Sequence, residues 1–219
     1  MFRRLAYLKQ VLTLRPRRYR NLLKIIYKRR CRNIMEIGVY NGKHAKQMIE
    51  VAKIFYPEHI IHYYGFDLFE KLTEEDLVKE QAKRAPTCAY VRHKLEKTGA
   101  NIHLYTGYTR DTLPQFVAEF KAVDATLEFI FVDGGHSAET IATDWCFVND
   151  LMTDKTVVLF DDYYENDEPE VANFGCQSLI NTLDRESYDV QILEPSNFFP
   201  KEWGVLKTSI VKVELQHKR

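Results

Sequence analysis

The chain has 219 residues, 45% of them hydrophobic and 13 each Tyr and Phe, which is enough apolar material for a full core and too much for a disordered segment. Basic and acidic residues balance at 31 each, yet twelve of the basic ones, Arg3 through Arg32, fall in the first 35 positions, where no acid occurs; 19 basic against 31 acidic residues follow. No apolar run approaches the roughly 18 residues of a membrane span, no uninterrupted apolar signal region opens the chain, and Cys31, Cys88, Cys146 and Cys176 lack both CxxC spacing and a disulfide framework, so a cytoplasmic protein with reduced thiols is expected.

Residues 1–32 read as a basic helical arm, with leucines and isoleucines among the cations and Pro16 dividing it into two short helices. A first strand is expected at Asn33–Ile37, followed by a helix over Gly42–Phe55 and a second strand at Ile60–Phe66. Thr73–Gly99 is charged and helical, with a break near Pro86. A third strand at Asn101–Thr106 precedes a helix over Asp111–Lys121. Strand four is Glu128–Val132, and its helix starts at Ser137 as N-cap with Ile141, Trp145, Val148 and Leu151 on one face. Strand five, Thr156–Phe160, leads to an acidic loop, a helix around Val171–Arg185, and strands at Tyr188–Leu193 and Val205–Val213.

The alternation of strand and helix argues for an α/β protein with a Rossmann-like, seven-stranded, mostly parallel sheet and helices on both faces. Its last two strands have no helix between them. They form a C-terminal hairpin and place one antiparallel strand in the sheet. The domain proper is then 33–219, behind the arm.

Buried parallel strands deliver their C-terminal residues to one edge, where ligands of open α/β sheets bind. Phe129–Val132 ends in Asp133, and Val157–Phe160 ends in Asp161 and Asp162. Three carboxylates there suit a divalent cation such as Mg²⁺, although a single aspartate in that place is more often only a turn residue. At the end of strand one, Glu36-Ile37-Gly38-Val39-Tyr40-Asn41-Gly42 makes a glycine-containing turn whose spacing differs from GxGxxG. Glu36 needs a partner if it is buried. Asp67 at the tip of strand two either caps a loop or accepts the two hydroxyls of a ribose.

These segments, with Gly107-Tyr108-Thr109-Arg110-Asp111-Thr112-Leu113-Pro114 and Phe131-Val132-Asp133-Gly134-Gly135-His136, resemble the class I S-adenosylmethionine-dependent methyltransferases. More narrowly, the chain is similar to the metal-dependent O-methyltransferases of the macrocin (TylF-like) or catechol type, over residues 33–165. The resemblance implies that the methionine part of the cofactor lies along Gly38 and Gly42 near Glu36 and Tyr40. It also implies that Asp67 binds the ribose, that Thr109 and Arg110 border the adenine, and that Asp133 adjoins the cofactor. Asp133, Asp161 and Asp162 fall on the family's metal positions, and His136 stands where the catechol enzymes carry a catalytic lysine. Thr153-Asp154-Lys155 replaces the usual Gly-Gly turn before strand five.

The expected function is therefore Mg²⁺-dependent O-methylation of a small hydroxylated molecule such as a sugar, polyol or phenol, with His136 and Asp133 as catalytic residues. Tyr163, Tyr164, Phe198, Phe199 and Trp203 are expected in loops around the acceptor. Two alternatives stay open: a nucleic-acid methyltransferase using the basic arm on phosphates, and a non-catalytic binding module. The arm either packs on the acidic body, in this or a second subunit of a homo-oligomer, or touches an anionic membrane surface or substrate.

Overall fold

A computed structural model describes residues 2–123, 125–165, 169 and 171–216. The arm forms α1 (Phe2–Thr13), a 3-10 turn at Arg17–Tyr19 and α2 (Arg20–Arg29), separated at Pro16 as its missing N–H requires. Then follow β1 (Asn33–Ile37), α3 (Lys43–Ala52), β2 (His62–Asp67), α4 (Glu74–Lys79), α5 (Cys88–Glu96), β3 (Asn101–Thr106) and α6 (Thr109–Ala122). The chain continues through β4 (Phe129–Val132), α7 (Ala138–Asp150), β5 (Val157–Tyr164), α8 (Gln177–Thr182), β6 (Tyr188–Lys201) and β7 (Gly204–Leu215).

The seven strands form one sheet in the order β3-β2-β1-β4-β5-β7-β6. Pairing is parallel from β3 through β5, and β7 runs antiparallel between β5 and β6, as the C-terminal hairpin demands. One face carries α2, α3 and α5 on a core that joins Leu22, Leu23 and Ile26 of the arm to Ile34, Met48 and Phe131. The other carries α6, α7 and α8, around Phe116, Ile141, Val148 and Phe160. The arm thus shares a core with the sheet. Tyr7 of α1 stacks on Tyr27 of α2 at 4.3 Å, and Arg3 pairs with Glu58 at 2.5 Å. Among the described residues, no helix is long and apolar enough to cross a membrane.

Three expectations are corrected by the structure. The helix expected over Val171–Arg185 is only Gln177–Thr182. The preceding stretch is committed elsewhere: Gly175 and Cys176 donate their N–H groups to the carbonyls of His136 and Asp162, and the Asn173 carbonyl accepts from Ala138. The strand expected to end at Leu193 bulges around Glu194-Pro195-Ser196 and resumes. Phe198 and Phe199 are therefore strand residues opposite Lys207 and Leu206, and Tyr163 and Tyr164 belong to β5; only Trp203 sits in a turn. Of the acidic loop after strand five, residues 166–168 and 170 lie outside the described residues.

Candidate cofactor and acceptor site

The C-terminal ends of β1, β2 and β4 open onto a cavity of about 510 Å³. Gly38, Val39, Tyr40 and Asn41 from the β1 turn line it, with Asp67 and Leu68 from β2, Tyr108–Arg110 at the start of α6, and Asp133–His136 from β4. Gly38 is required by a close approach. It has φ +90°, and a Cβ there would overlap the carbonyl of Asp133, so the β1 and β4 turns meet only because no side chain intervenes. Gly42, at φ +67°, does not line the cavity; a Cβ there would press on Val91 of α5 at 3.0 Å.

Asp67 is held at the cavity wall by two backbone N–H groups. Its Oδ2 accepts from the Tyr40 N–H and its Oδ1 from the Phe69 N–H, each at 2.7 Å. Burial pushes its pKa up against these bonds. The carboxylate is thereby fixed at the cavity wall with lone pairs left for a ligand's hydroxyls.

Glu36 stands differently. It is fully buried, does not line the cavity, and takes a hydrogen bond from Tyr63 on one oxygen while the other has no partner. Burial, with the charge of Asp67 adding and the Tyr63 bond opposing, raises its pKa to about 8. Between the unfolded value near 4.3 and 8, the folded protein holds a proton that the unfolded chain lacks. Stability therefore falls as pH rises through that window, by at most about 1.4 kcal/mol per unit. Urea melts at pH 5 and pH 9 should show Glu36→Gln gaining on wild type at the higher pH; an unchanged difference would place the proton elsewhere.

The three aspartates are brought together, but not in one role. β5 carries one extra residue between Phe160 and Tyr163, and Asp162 sits there in the left-handed region at φ +55°. This bulge turns the two neighbouring carboxylates to different partners. Asp161 accepts from Arg18 Nε at 2.6 Å and Nη2 at 2.8 Å, and from the Tyr19 hydroxyl at 2.7 Å. Burial alone would raise its pKa, but Arg18 holds it below the usual range. Asp162 instead lies 3.7 Å from His136 Nε2 and 3.6 Å from Arg18 Nη2. Burial and the Asp161 charge push Asp162 up to about 6, and burial with both neighbours drives Asp133 well above the ordinary carboxylate value.

Asp161 is committed to Arg18 and Tyr19, whose guanidinium and hydroxyl cover it with three hydrogen bonds and a positive charge. Asp133, His136 and Asp162 each present one ligand atom, all within 4.8 Å of one another. With Arg18 offsetting one of the three carboxylates, a divalent ion would balance the two remaining charges, and two carboxylates plus an imidazole suit Mg²⁺, Mn²⁺ or a similar ion. The residues fit, with His136 in the position that the sequence assigned to Asp161. The arm's part, Arg18 and Tyr19, was not read from the sequence, because a single arginine among twelve basic residues carries no local mark of being the buried one.

Residues 35–163, more than half of the chain, match a family described as a methyltransferase domain. The chain belongs to this methyltransferase-domain family. It is of class I, the S-adenosylmethionine-dependent kind, as the sequence motifs imply. Among solved structures it is similar to the O-methyltransferase TomG from Streptomyces achromogenes in complex with S-adenosylmethionine. The identity is 15% and the TM-score 0.62, over 93% of this chain and 82% of that one. It is also similar to an O-methyltransferase from Bacillus cereus in complex with S-adenosylhomocysteine (16%, TM-score 0.61, 95% and 90%) and to a putative rRNA methylase from Clostridium thermocellum (12%, TM-score 0.57, 90% and 96%). At such identities the likeness is one of fold, which does not choose an acceptor. No curated protein matches the chain.

The methyltransferase closes its cavity with the segment between β2 and β3. Asp76 at the head of α4 makes a capping box with Thr73 and accepts from Tyr108 at 3.1 Å. Beyond the helix, Glu80 reaches across to α7 and accepts from the Ser137 N–H at 2.8 Å, the Ser137 hydroxyl at 2.9 Å and the Thr140 hydroxyl at 2.8 Å. Arg15, Pro16 and Tyr19 of the arm also form part of the wall. His44, between Tyr19 and the sheet, is pushed down to about 4 by burial and is neutral at ordinary pH.

Proposed function

We propose that the protein transfers the methyl group of S-adenosylmethionine to a hydroxyl of a small acceptor, with a divalent cation held by Asp133, Asp162 and His136. The observation that supports this most is a shared wall. Asp133 and His136 line the cofactor cavity and also a smaller recess that contains Asp161 and Asp162. That recess, about 10 Å³, has the size of a single ion or water, so the cation would sit there while donor and acceptor share the larger cavity and meet it at Asp133.

Methyl transfer from a sulfonium needs alignment, a dry site and a deprotonated nucleophile more than it needs covalent help. Asp67 anchors the ribose end, Thr109 and Arg110 border the adenine, and Tyr40 and the Gly38 turn flank the methionine end. Phe66, Leu68 and Leu72 exclude water from the wall. A cation in the recess would supply Lewis acidity that favours the alkoxide form of the acceptor. The backbone bonds from Gly175 and Cys176 to His136 and Asp162 keep that loop in place.

A second reading uses the same imidazole. With no ion bound, His136 beside Asp162 at 3.7 Å has the arrangement of a general base and its orienting carboxylate. Chelator separates the two. Under the first reading, activity on a catechol or sugar diol disappears in chelator and returns with Mg²⁺ or Mn²⁺, and the Mn²⁺ resonance signal broadens with wild type but not with Asp162→Ala. Full activity in chelator, lost only with His136→Ala, would establish the second and remove the metal role.

A further inference from the structure

The outward face of α1 is used by none of the roles above. The helix is docked by one side only: Tyr7 stacks on Tyr27 of α2, Val11 packs against the core, and Arg3 donates to the Lys53 carbonyl and pairs with Glu58. That anchoring turns Leu5, Leu8 and Leu12, at i, i+3 and i+7, away from the protein, with exposures of 54%, 53% and 69%. Among the described residues, no other helix exposes more than one large hydrophobic side chain.

Cations frame this stripe. Arg4 stands one turn before Leu8 and Lys9 one turn after Leu5, so they flank the leucines on opposite sides. At the carboxyl end of the helix, Arg20 donates to the carbonyls of Leu12 and Leu14, and Arg15 donates to that of Leu14 at 3.1 Å, which brings two guanidinium groups beside Leu12. Among the described residues, Arg4, Lys9, Arg15 and Arg20 have no ion pair, whereas Arg3, Arg18, Arg29 and Arg32 pair with acids of the body.

The chemistry of the face decides between its occupants. A second copy laid face to face would set these cations against the same cations, and no acid occurs in the first 35 residues to offset them. Nucleic acid would supply phosphates and leave the leucines in water. A bilayer with anionic headgroups supplies both phosphates for the cations and, slightly deeper, acyl chains for the leucines.

We propose that α1 lies on the surface of an anionic membrane, with Leu5, Leu8 and Leu12 at the boundary between headgroups and acyl chains and Arg4, Lys9, Arg15 and Arg20 among the lipid phosphates. Its 12 residues are too few to cross a bilayer, so the helix rests in the interface plane. Arg15 also lines the cavity, so the membrane face adjoins the cavity wall, but the docking is independent of what the cavity binds.

The full chain is sedimented at about 0.1 M salt with vesicles of phosphatidylglycerol and phosphatidylcholine in equal parts, and with vesicles of phosphatidylcholine alone. Wild type should bind the anionic vesicles at least roughly 100-fold more strongly, from about five-fold for each of the four cations. Combining Leu5→Gln, Leu8→Gln and Leu12→Gln should weaken that binding at least about 10-fold, and Arg4→Gln with Lys9→Gln about 25-fold. Neither variant should lower the melting temperature, since all five side chains are exposed and Gln matches Leu and Lys in helix propensity. Absence of wild-type binding to the anionic vesicles would overturn the proposal, and a dimer lost in the triple variant would then assign the face to a second copy. Undiminished vesicle binding by the triple variant would also overturn it, because charge alone would then account for the contact.

Discussion

Asp67→Ala should abolish the rise in melting temperature that S-adenosylhomocysteine produces in wild type and weaken its binding at least about 100-fold. Two ribose hydroxyls donating to one carboxylate are worth roughly 1.5–3 kcal/mol each, and no other acid stands at the tip of β2 inside the cavity to replace them. The same carboxylate accepts from Tyr40 and Phe69, so the variant also loosens the two turns. Circular dichroism and the melting point without ligand separate that effect from ligand loss. Asp67→Asn refines the test, because its amide presents a donor where one of those N–H groups now points. A retained ligand shift in Asp67→Ala would place the ribose elsewhere.

The second large effect lies in the arm. Arg18→Ala leaves Asp161 with its Tyr19 bond and no counter-charge, buried beside Asp162, and should lower unfolding free energy by about 3–5 kcal/mol. The double variant Arg18→Met, Asp161→Leu removes both charges and should recover most of that loss. Because Arg18 depresses the pKa of Asp161, the contribution is present above the ordinary aspartate range and is lost as pH falls through the lower folded value. Urea titration of these three proteins, at pH 7 and pH 3, measures it. A single-variant loss under 1 kcal/mol would mean that the arm does not dock on β5 in solution.

The sheet was legible where strands are apolar with polar boundaries, as in β4 and the first half of β5, and from the alternation with helices elsewhere: β1 and β3 lie where the sequence puts them, and β5 begins one residue later and runs four further, through the aspartates. Ser137 caps α7 as its spacing indicates, accepting from Thr140 at 3.3 Å. Errors arose where distant backbone groups outweigh local preference. Residues 171–176 are turned away from helix by bonds to His136 and Asp162, and Pro195 interrupts a strand without ending it. For the site, the sequence brought Asp67, Thr109, Arg110 and Asp133 to one edge. It did not distinguish Asp161 from Asp162, since that division depends on a one-residue bulge and on an arginine 143 positions away.

The most direct measurement is a crystal structure grown with S-adenosylhomocysteine and Mn²⁺, with anomalous scattering recorded for the ion. The ribose is expected on Asp67 and the adenine beside Thr109 and Arg110. The manganese peak is expected among Asp133, His136 and Asp162, with Arg18 still on Asp161. A ligand outside the 510 Å³ cavity, or a manganese peak on Asp161 with Arg18 displaced, would contradict this account.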